Sequence, residues 1–467
     1  MSRAPADVFK PTWKSLQAYR VPEWYMDAKF GIFIHWGVYA VPAYDNEWYP
    51  RNMYRKESHV FRYHRERWGP QSVFGYKDFI PLFKAERWAP HSWVSLFAEA
   101  GARYVVPVAE HHDGFAMYAS EYTPWNAANM GPRKDIIAEL KRVVEEHGLK
   151  FGVSTHRAFN WRYYTYEDDY DTTNPAYSGL YSPPHPEKAP ASREFLEDWF
   201  ARTKELIDKF APDLLWFDFG WHSDEFSEYR PRIVAYFYNR ALALEKEVVL
   251  NYKDKLPDGV AVLDIERGKL SGIREHYWQT DTSVSTKSWG YIKDDQFKTP
   301  TTLVHDLVDI VSKNGNLLLN IGPRPDGTIP KQAADILRAI GRWLAVNGEA
   351  IYGTRPWKVY GEGPTEVQTG HLTEQKNEQF TAQDVRFTTK PGALYATCLG
   401  WPGNQAKVVS LGRKSPHALP EGQIARISML GSQEPLRWSV QDDALYIATP
   451  QKKPCDHAYC FKIELKR

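Results

Sequence analysis

A chain of 467 residues, 43% hydrophobic and 25% charged, has the composition of a soluble globular protein and is longer than one ordinary core accommodates, so two domains are expected. A formal net charge of +1 supplies no field to attract nucleic acid or an acidic membrane surface. Aromatic residues are 15% of the chain, with 18 Trp and 28 Tyr, which suits either a large aromatic core or surfaces that stack on sugars.

Met1 to Lys10 holds no apolar leader core, and no run approaches membrane-spanning length. The sequence as it stands therefore reads as soluble and cytoplasmic, although a secreted protein with its leader removed would look the same. Phe30 to Gly37 reads as a buried strand that carries His35 near its end. A tyrosine-rich connection follows, from Tyr39 to about Lys84, of a length that is usually functional. Ala89 to Ala100 reads as a helix, with Pro90 in its first turn and Gly101 as its stop. Tyr104 to Glu110 is the next strand and runs into His111 and His112. Asp135 to Glu146 carries a helical stripe of Ile136, Ile137, Leu140, Val143 and Val144. Lys150 to His156 is a strand, and a Tyr- and Pro-rich excursion spans Trp161 to about Pro190. Ser192 reads as the N-cap of a long helix leading to the stretch Leu214 to Trp221, a short buried strand that carries Asp218 at its C-terminal end and runs out into a glycine.

Beyond Asp218 the alternation continues. A helix is expected over about Arg230 to Lys246, then strands at Val248 to Lys253, Val260 to Arg267 and His276 to Ser283. A helix over Thr302 to Lys313, a strand over Asn316 to Gly322 and a helix over Lys331 to Val346 close the series. About eight apolar strands, most of them separated by helices, imply a closed (β/α)8-like barrel with insertions. A doubly wound open sheet is the competitor, but no G-x-G-x-x-G turn follows the first strand. After Arg355-Pro356-Trp357 helical stripes give way to short alternating runs punctuated by turns, the pattern of a C-terminal all-β sandwich. The expected division is residues 1–357 and 358–467. The three cysteines, Cys398, Cys455 and Cys460, are too few for a disulfide framework, though Cys455 and Cys460 could pair.

In a barrel all strand C-termini open on one face. There the chain would gather His35, Glu47, Trp48, His111, His112, His156, Asp218, Lys253, Glu266 and Trp289. Asp218 is fenced by Trp216, Phe217, Phe219 and Trp221, where an unpaired carboxylate is costly unless it is used. Two acids with imidazoles and indoles are the equipment of a retaining glycosidase. One acid is the nucleophile and the other the acid/base, about 5–5.5 Å apart. A metal centre built from His35, His111, His112 and Asp113 is the competing reading. Against it, adjacent strand residues point opposite ways and no His recurs at i, i+4. No cofactor is implied.

Six segments together resemble the retaining α-L-fucosidase family. They are Phe30 to Gly37, Glu47-Trp48-Tyr49, His111 to Phe115, Leu215 to Asp218, Ser288 to Tyr291 and Leu318 to Gly327. The similarity covers about Trp24 to Trp357, and the tail resembles that family's C-terminal sandwich in texture. The resemblance implies release of L-fucose from fucosylated oligosaccharides or glycoconjugates through a covalent intermediate. It makes Asp218 the nucleophile and puts His35, Glu47, Trp48, His111 and His112 on the sugar hydroxyls, with Trp289 against the C6 methyl. Asp264 to Gly268 resembles the acid/base segment of one branch, which points to Glu266, with Glu275 and Glu47 in reserve. Lys253 stands where an arginine often helps hold the sugar, and His156 where a tyrosine is often found. A related sugar such as an α-galactoside, or an inactive sugar-binding relative, is the alternative.

Overall fold

The computed structural model describes residues 9–466, so most of the segment read for a leader lies outside the described residues. Eight parallel strands close into a barrel in sequence order: β1 (Phe30–Ile34), β2 (Tyr104–Glu110), β3 (Lys150–Thr155), β4 (Leu214–Phe217), β5 (Val249–Tyr252), β6 (Val262–Glu266), β7 (Trp278–Ser283) and β8 (Gly315–Ile321). β8 pairs back onto β1 from Phe30 with Leu317 to Ile34 with Ile321, which rules out the open-sheet alternative. Both faces of these strands are covered, and that is why they read as continuous apolar runs. Phe33, Val106, Trp216, Val249, Val262 and Leu318 fill the barrel interior. Ile32, Ile34, Leu215 and Phe217 pack outward against the helices.

The helices are where capping and periodicity place them. Ser192 accepts the amide of Phe195 and starts Arg193–Phe210. Asp135 accepts the amide of Ala138 and starts Ile136–Glu146. No helix separates β5 from β6 or β6 from β7. The connection from Tyr39 to Lys84 is not an open loop. It holds short helices at Tyr49–Asn52 and His59–Trp68 and a 3-10 segment at Tyr76–Leu82. This insertion and the Tyr-rich excursion after β3 are tied together by buried phenols. Tyr54 and Tyr181 both donate to the Asp171 carboxylate at 2.7 Å, and Tyr76 donates to Asp113 at 2.6 Å. Much of the aromatic excess is therefore packing.

The remaining chain forms two antiparallel sheets. The five-stranded sheet has the order β13-β16-β11-β10-β9 and the three-stranded sheet the order β12-β15-β14. Their ranges are β9 Arg355–Glu362, β10 Val385–Lys390, β11 Ala393–Cys398, β12 Gln405–Val408, β13 Ile424–Met429, β14 Trp438–Val440, β15 Leu445–Ala448 and β16 Tyr459–Leu465. β9 is half-buried along nearly its whole length and β14 is mostly exposed, so neither shows the alternation of β12 and β15 or the buried run of β11. Cys455 and Cys460 do not pair; all three cysteines are free. The Cys455 sulfur lies against the carbonyl of Ala458 and the side-chain amide of Asn347, while Cys460 is buried within β16. Among the described residues no helix is long and apolar enough to cross a membrane.

Candidate active site

Successive strand residues face opposite ways, so residues two apart share a face. Because Trp216 points into the barrel, Asp218 does too, one step above it at the C-terminal mouth. The same count carries Phe33 to His35, Ser154 to His156, Asn251 to Lys253 and Asp264 to Glu266. Strand β2 breaks the count. Its register against β3 shifts between Val108 and Glu110. Glu110 turns outward, where it accepts Arg157 at 2.9 Å and Arg202 at 3.1 Å. The shift lets the adjacent residues His111 and His112 both reach the mouth, which strict alternation forbids. His35, His111, His112 and His156 then form one cluster, with ring centroids 4.6–5.6 Å apart for the contacting pairs.

Asp218 is the centre of this cluster. Its Oδ1 accepts Lys253 Nζ at 2.8 Å and the Phe219 amide at 2.8 Å. Its Oδ2 accepts His156 Nδ1 at 2.8 Å and lies 3.1 Å from His112 Nε2. Burial pushes this carboxyl up, but the Lys253 ammonium, His156 and His112 outweigh it and hold Asp218 well below the usual carboxylate range. The turn that follows depends on Gly220, whose φ is +105° and whose missing side chain lets the Phe159 amide approach.

Lys253 Nζ makes a second bond, to Glu266 Oε2 at 2.6 Å. The two carboxylate oxygens can therefore be no further apart than those two bonds laid end to end, about 5.4 Å. Burial opposes the charge on Lys253, but Asp218, Glu266 and Asp281 raise its pKa well above the ordinary lysine value. The Asp218 side chain is 7% exposed and that of Glu266 22%, so only the second acid meets solvent freely.

The other expected residues fall into two groups. Burial drives His35 and His111 well below the usual histidine range and His156 down to about 4, so all three rings are neutral. His35 Nδ1 is held at 2.8 Å by Asn320 Oδ1, which leaves Nε2 as an acceptor facing the mouth. His111 Nδ1 is buried with no partner. Both nitrogens of His112 face acceptors, the His156 carbonyl at 2.6 Å and Asp218. Trp48 stacks on Phe219 with its ring 5.3 Å from His112. Glu47 Oε2 accepts Ser288 Oγ at 3.1 Å and the Trp289 amide at 2.8 Å, fixing the indole 5.2 Å from the His35 ring. Glu275 precedes β7 and is exposed, so it lies at the opposite end of the barrel from the mouth.

The metal grouping read from the sequence does not form. The Asp113 carboxylate turns to Tyr76 and the Phe115 amide, away from the imidazoles. The structure instead gathers His35, His111 and His156, and separately His112, His156 and Asp218, closely enough to hold an ion. Both nitrogens of His156 are already engaged, by Asp218 and by Ser154 Oγ at 2.9 Å, so the donor set fits an ion poorly. Residues the sequence reading missed are Asn320, which also accepts the His35 amide, and Arg267, whose guanidinium lies 4.6 Å over the Trp289 ring. The signal for Asn320 was a buried amide at the end of an otherwise apolar strand.

Residues 2–349 match the family described as Alpha-L-fucosidase, and residues 376–464 match Alpha-L-fucosidase C-terminal domain. The chain is 32% identical to tissue alpha-L-fucosidase of Rattus norvegicus over 463 residues, covering 96% of this chain and 89% of that protein. It is 31% identical to plasma alpha-L-fucosidase of Homo sapiens, covering 96% and 90%. The crystal structure of Thermotoga maritima alpha-fucosidase in complex with fucose superimposes with a TM-score of 0.78 at 30% identity, over 97% of this chain and 100% of that one. The same enzyme with a mechanism-based inhibitor gives 0.79 at 30% identity, over 98% and 100%.

Proposed function

The chain belongs to the α-L-fucosidase family of glycoside hydrolases, and from that premise we propose that it cleaves terminal α-L-fucosyl residues with retention, Asp218 attacking and Glu266 acting as acid, then base. The observation that carries this reading is the Lys253 bridge. An upper limit of about 5.4 Å between carboxylate oxygens suits a double displacement, whereas inversion needs roughly 6.5–9.5 Å to admit a water between the acids.

In the first step Asp218 attacks the anomeric carbon while Glu266 protonates the departing glycosidic oxygen. Positive charge at the ring oxygen develops against a carboxylate that four donors keep ionised. Bonding to the sugar removes the Asp218 charge. Of its two bonded carboxylates the Lys253 ammonium then keeps the charge of Glu266, the carboxylate that must take a proton from water in the second step. His35 Nε2 and His111 Nδ1 supply partners for sugar hydroxyls, and Trp289 supplies an apolar wall for the methyl of a 6-deoxy sugar. The substrate is a fucosylated oligosaccharide or glycoconjugate. Proton NMR of an aryl α-L-fucoside digest tests the reading, with α-L-fucose expected as the first-formed anomer. Initial release of the β anomer overturns retention, and faster cleavage of an aryl galactoside overturns the choice of sugar.

A further inference from the structure

On the β5 side of β6, pairing stops early. Only Asn251 with Val262 and Tyr252 with Leu263 are in register, so Glu266, three residues further on, has no β5 neighbour. Arg267 donates its amide to the Asp281 carbonyl on the β7 side. Because backbone groups alternate along a strand, Glu266 presents both its N–H and its C=O to the side that β5 has vacated. A buried or half-buried backbone pair left open there would be costly and would leave the residue free to pivot.

The gap is filled from the other domain. The connection between β9 and β10 reaches back over the barrel rim. Glu266 N–H donates to His371 Nδ1 at 3.0 Å, and the Leu372 amide donates to the Glu266 carbonyl at 2.8 Å. The Glu374 amide donates to the Arg267 carbonyl at 3.0 Å, and its carboxylate takes Arg267 Nη1 at 2.8 Å and Lys298 Nζ at 2.7 Å. Leu372 makes its bond with φ at +56°, and the residue is 61% exposed. A leucine in left-handed backbone, pointing into solvent, contributes no burial to offset that conformation. A side chain at Gly268 would run into the Gly370 carbonyl, so the two segments meet backbone to backbone. Behind the loop lies a cavity of about 630 Å³ bordered by Lys269, Lys298, His305, Glu374 and Phe380. The loop is therefore held at this point by polar bonds to the β6 terminus more than by packing.

We propose that the loop Thr369–Asn377 of the C-terminal domain completes the active site, with His371 and Leu372 standing in for the missing strand and fixing the backbone from which Glu266 aims at the glycosidic oxygen. His371 is thus a positioning residue. Its Nδ1 must be unprotonated to accept the Glu266 amide, which puts its proton on Nε2. The C-terminal domain takes part in proton transfer without touching the sugar.

The inference rests on Glu266 as the acid, so Glu266→Ala is measured beside His371→Ala. The readout is kcat/KM, which reports the first step alone, on nitrophenyl α-L-fucoside and on methyl α-L-fucoside. A nitrophenolate leaves without protonation, whereas an alkoxide does not. Displacement of a catalytic group by about 1 Å costs on the order of 10²-fold. His371→Ala is therefore expected to lose at least about 10-fold more on the methyl fucoside than on the nitrophenyl fucoside. His371→Asn, whose Oδ1 can accept where Nδ1 did, should recover most of that difference. Equal losses of His371→Ala on both substrates, or no loss on the methyl fucoside, overturn the positioning role while a leaving-group split in Glu266→Ala still supports the acid. Absence of a split in Glu266→Ala itself removes Glu266 as the acid, and the positioning proposal with it.

Discussion

Replacing Lys253 by Met removes the cation that bonds both Asp218 and Glu266 while keeping an unbranched side chain of similar length. Without the ammonium, Asp218 loses an opposite charge 2.8 Å away, and such a neighbour lowers a carboxyl pKa by about 1–3 units. The middle of that range, about 2 units, is worth roughly 3 kcal/mol at 1.36 kcal/mol per pH unit. The sign follows from the folded state. Lys253 helps hold Asp218 below its ordinary range against the effect of burial, so its loss raises the pH at which the pair takes up a proton. Asp218, the proposed nucleophile, is then protonated over a pH range where it is ionised in the parent. In a pH profile of kcat/KM on an aryl fucoside, the acid limb should move upward by about 2 pH units, and Lys253→Arg, which retains the charge, should return it toward the parent position. Removing one member of a buried ion pair also costs stability, about 3–5 kcal/mol in unfavourable cases, so near-UV circular dichroism must first establish that the variant is folded. A folded Lys253→Met enzyme whose acid limb stays in place would refute the idea that this lysine governs the ionisation of Asp218.

Asp218→Gly should abolish turnover of an aryl fucoside with the thermal transition preserved, and near-parental activity would remove Asp218 from the nucleophile's role. Treatment with EDTA should leave kcat unchanged, since both His156 nitrogens are engaged by protein groups; inactivation reversed by a divalent ion would place that ion at His35, His111 and His156. Trp289→Ala takes away the wall assigned to the sugar methyl. Its preference for aryl fucoside over aryl galactoside should fall by about 10–100-fold, the usual worth of one methyl in an apolar pocket, and an unchanged ratio would assign that discrimination elsewhere.

The barrel was legible because its strands are buried on both faces and its long helices carry apolar stripes, with side-chain caps at Asp135, Ser192 and Thr299. Leu214–Phe217 and Arg193–Phe210 are read from the chain within a residue or two for that reason. Strands β9 and β14 were not, because half-buried or exposed edges impose no alternation. The insertion after β1 read as loop, since its helices bury phenols and imidazoles such as Tyr49 and His64 in place of an aliphatic stripe.

By itself the amino-acid order determined which side chains stand at strand ends, and period-two alternation then carries Asp218, Lys253 and Glu266 into one mouth. What it could not determine is how those side chains divide the work. Only the closed barrel shows that Lys253 bonds both acids, that a register shift brings His111 and His112 in together, and that Glu47 serves the Trp289 loop. Those assignments depend on distances between residues far apart in the chain, and such distances are set by closure of the sheet and docking of a second domain, not by any local pattern.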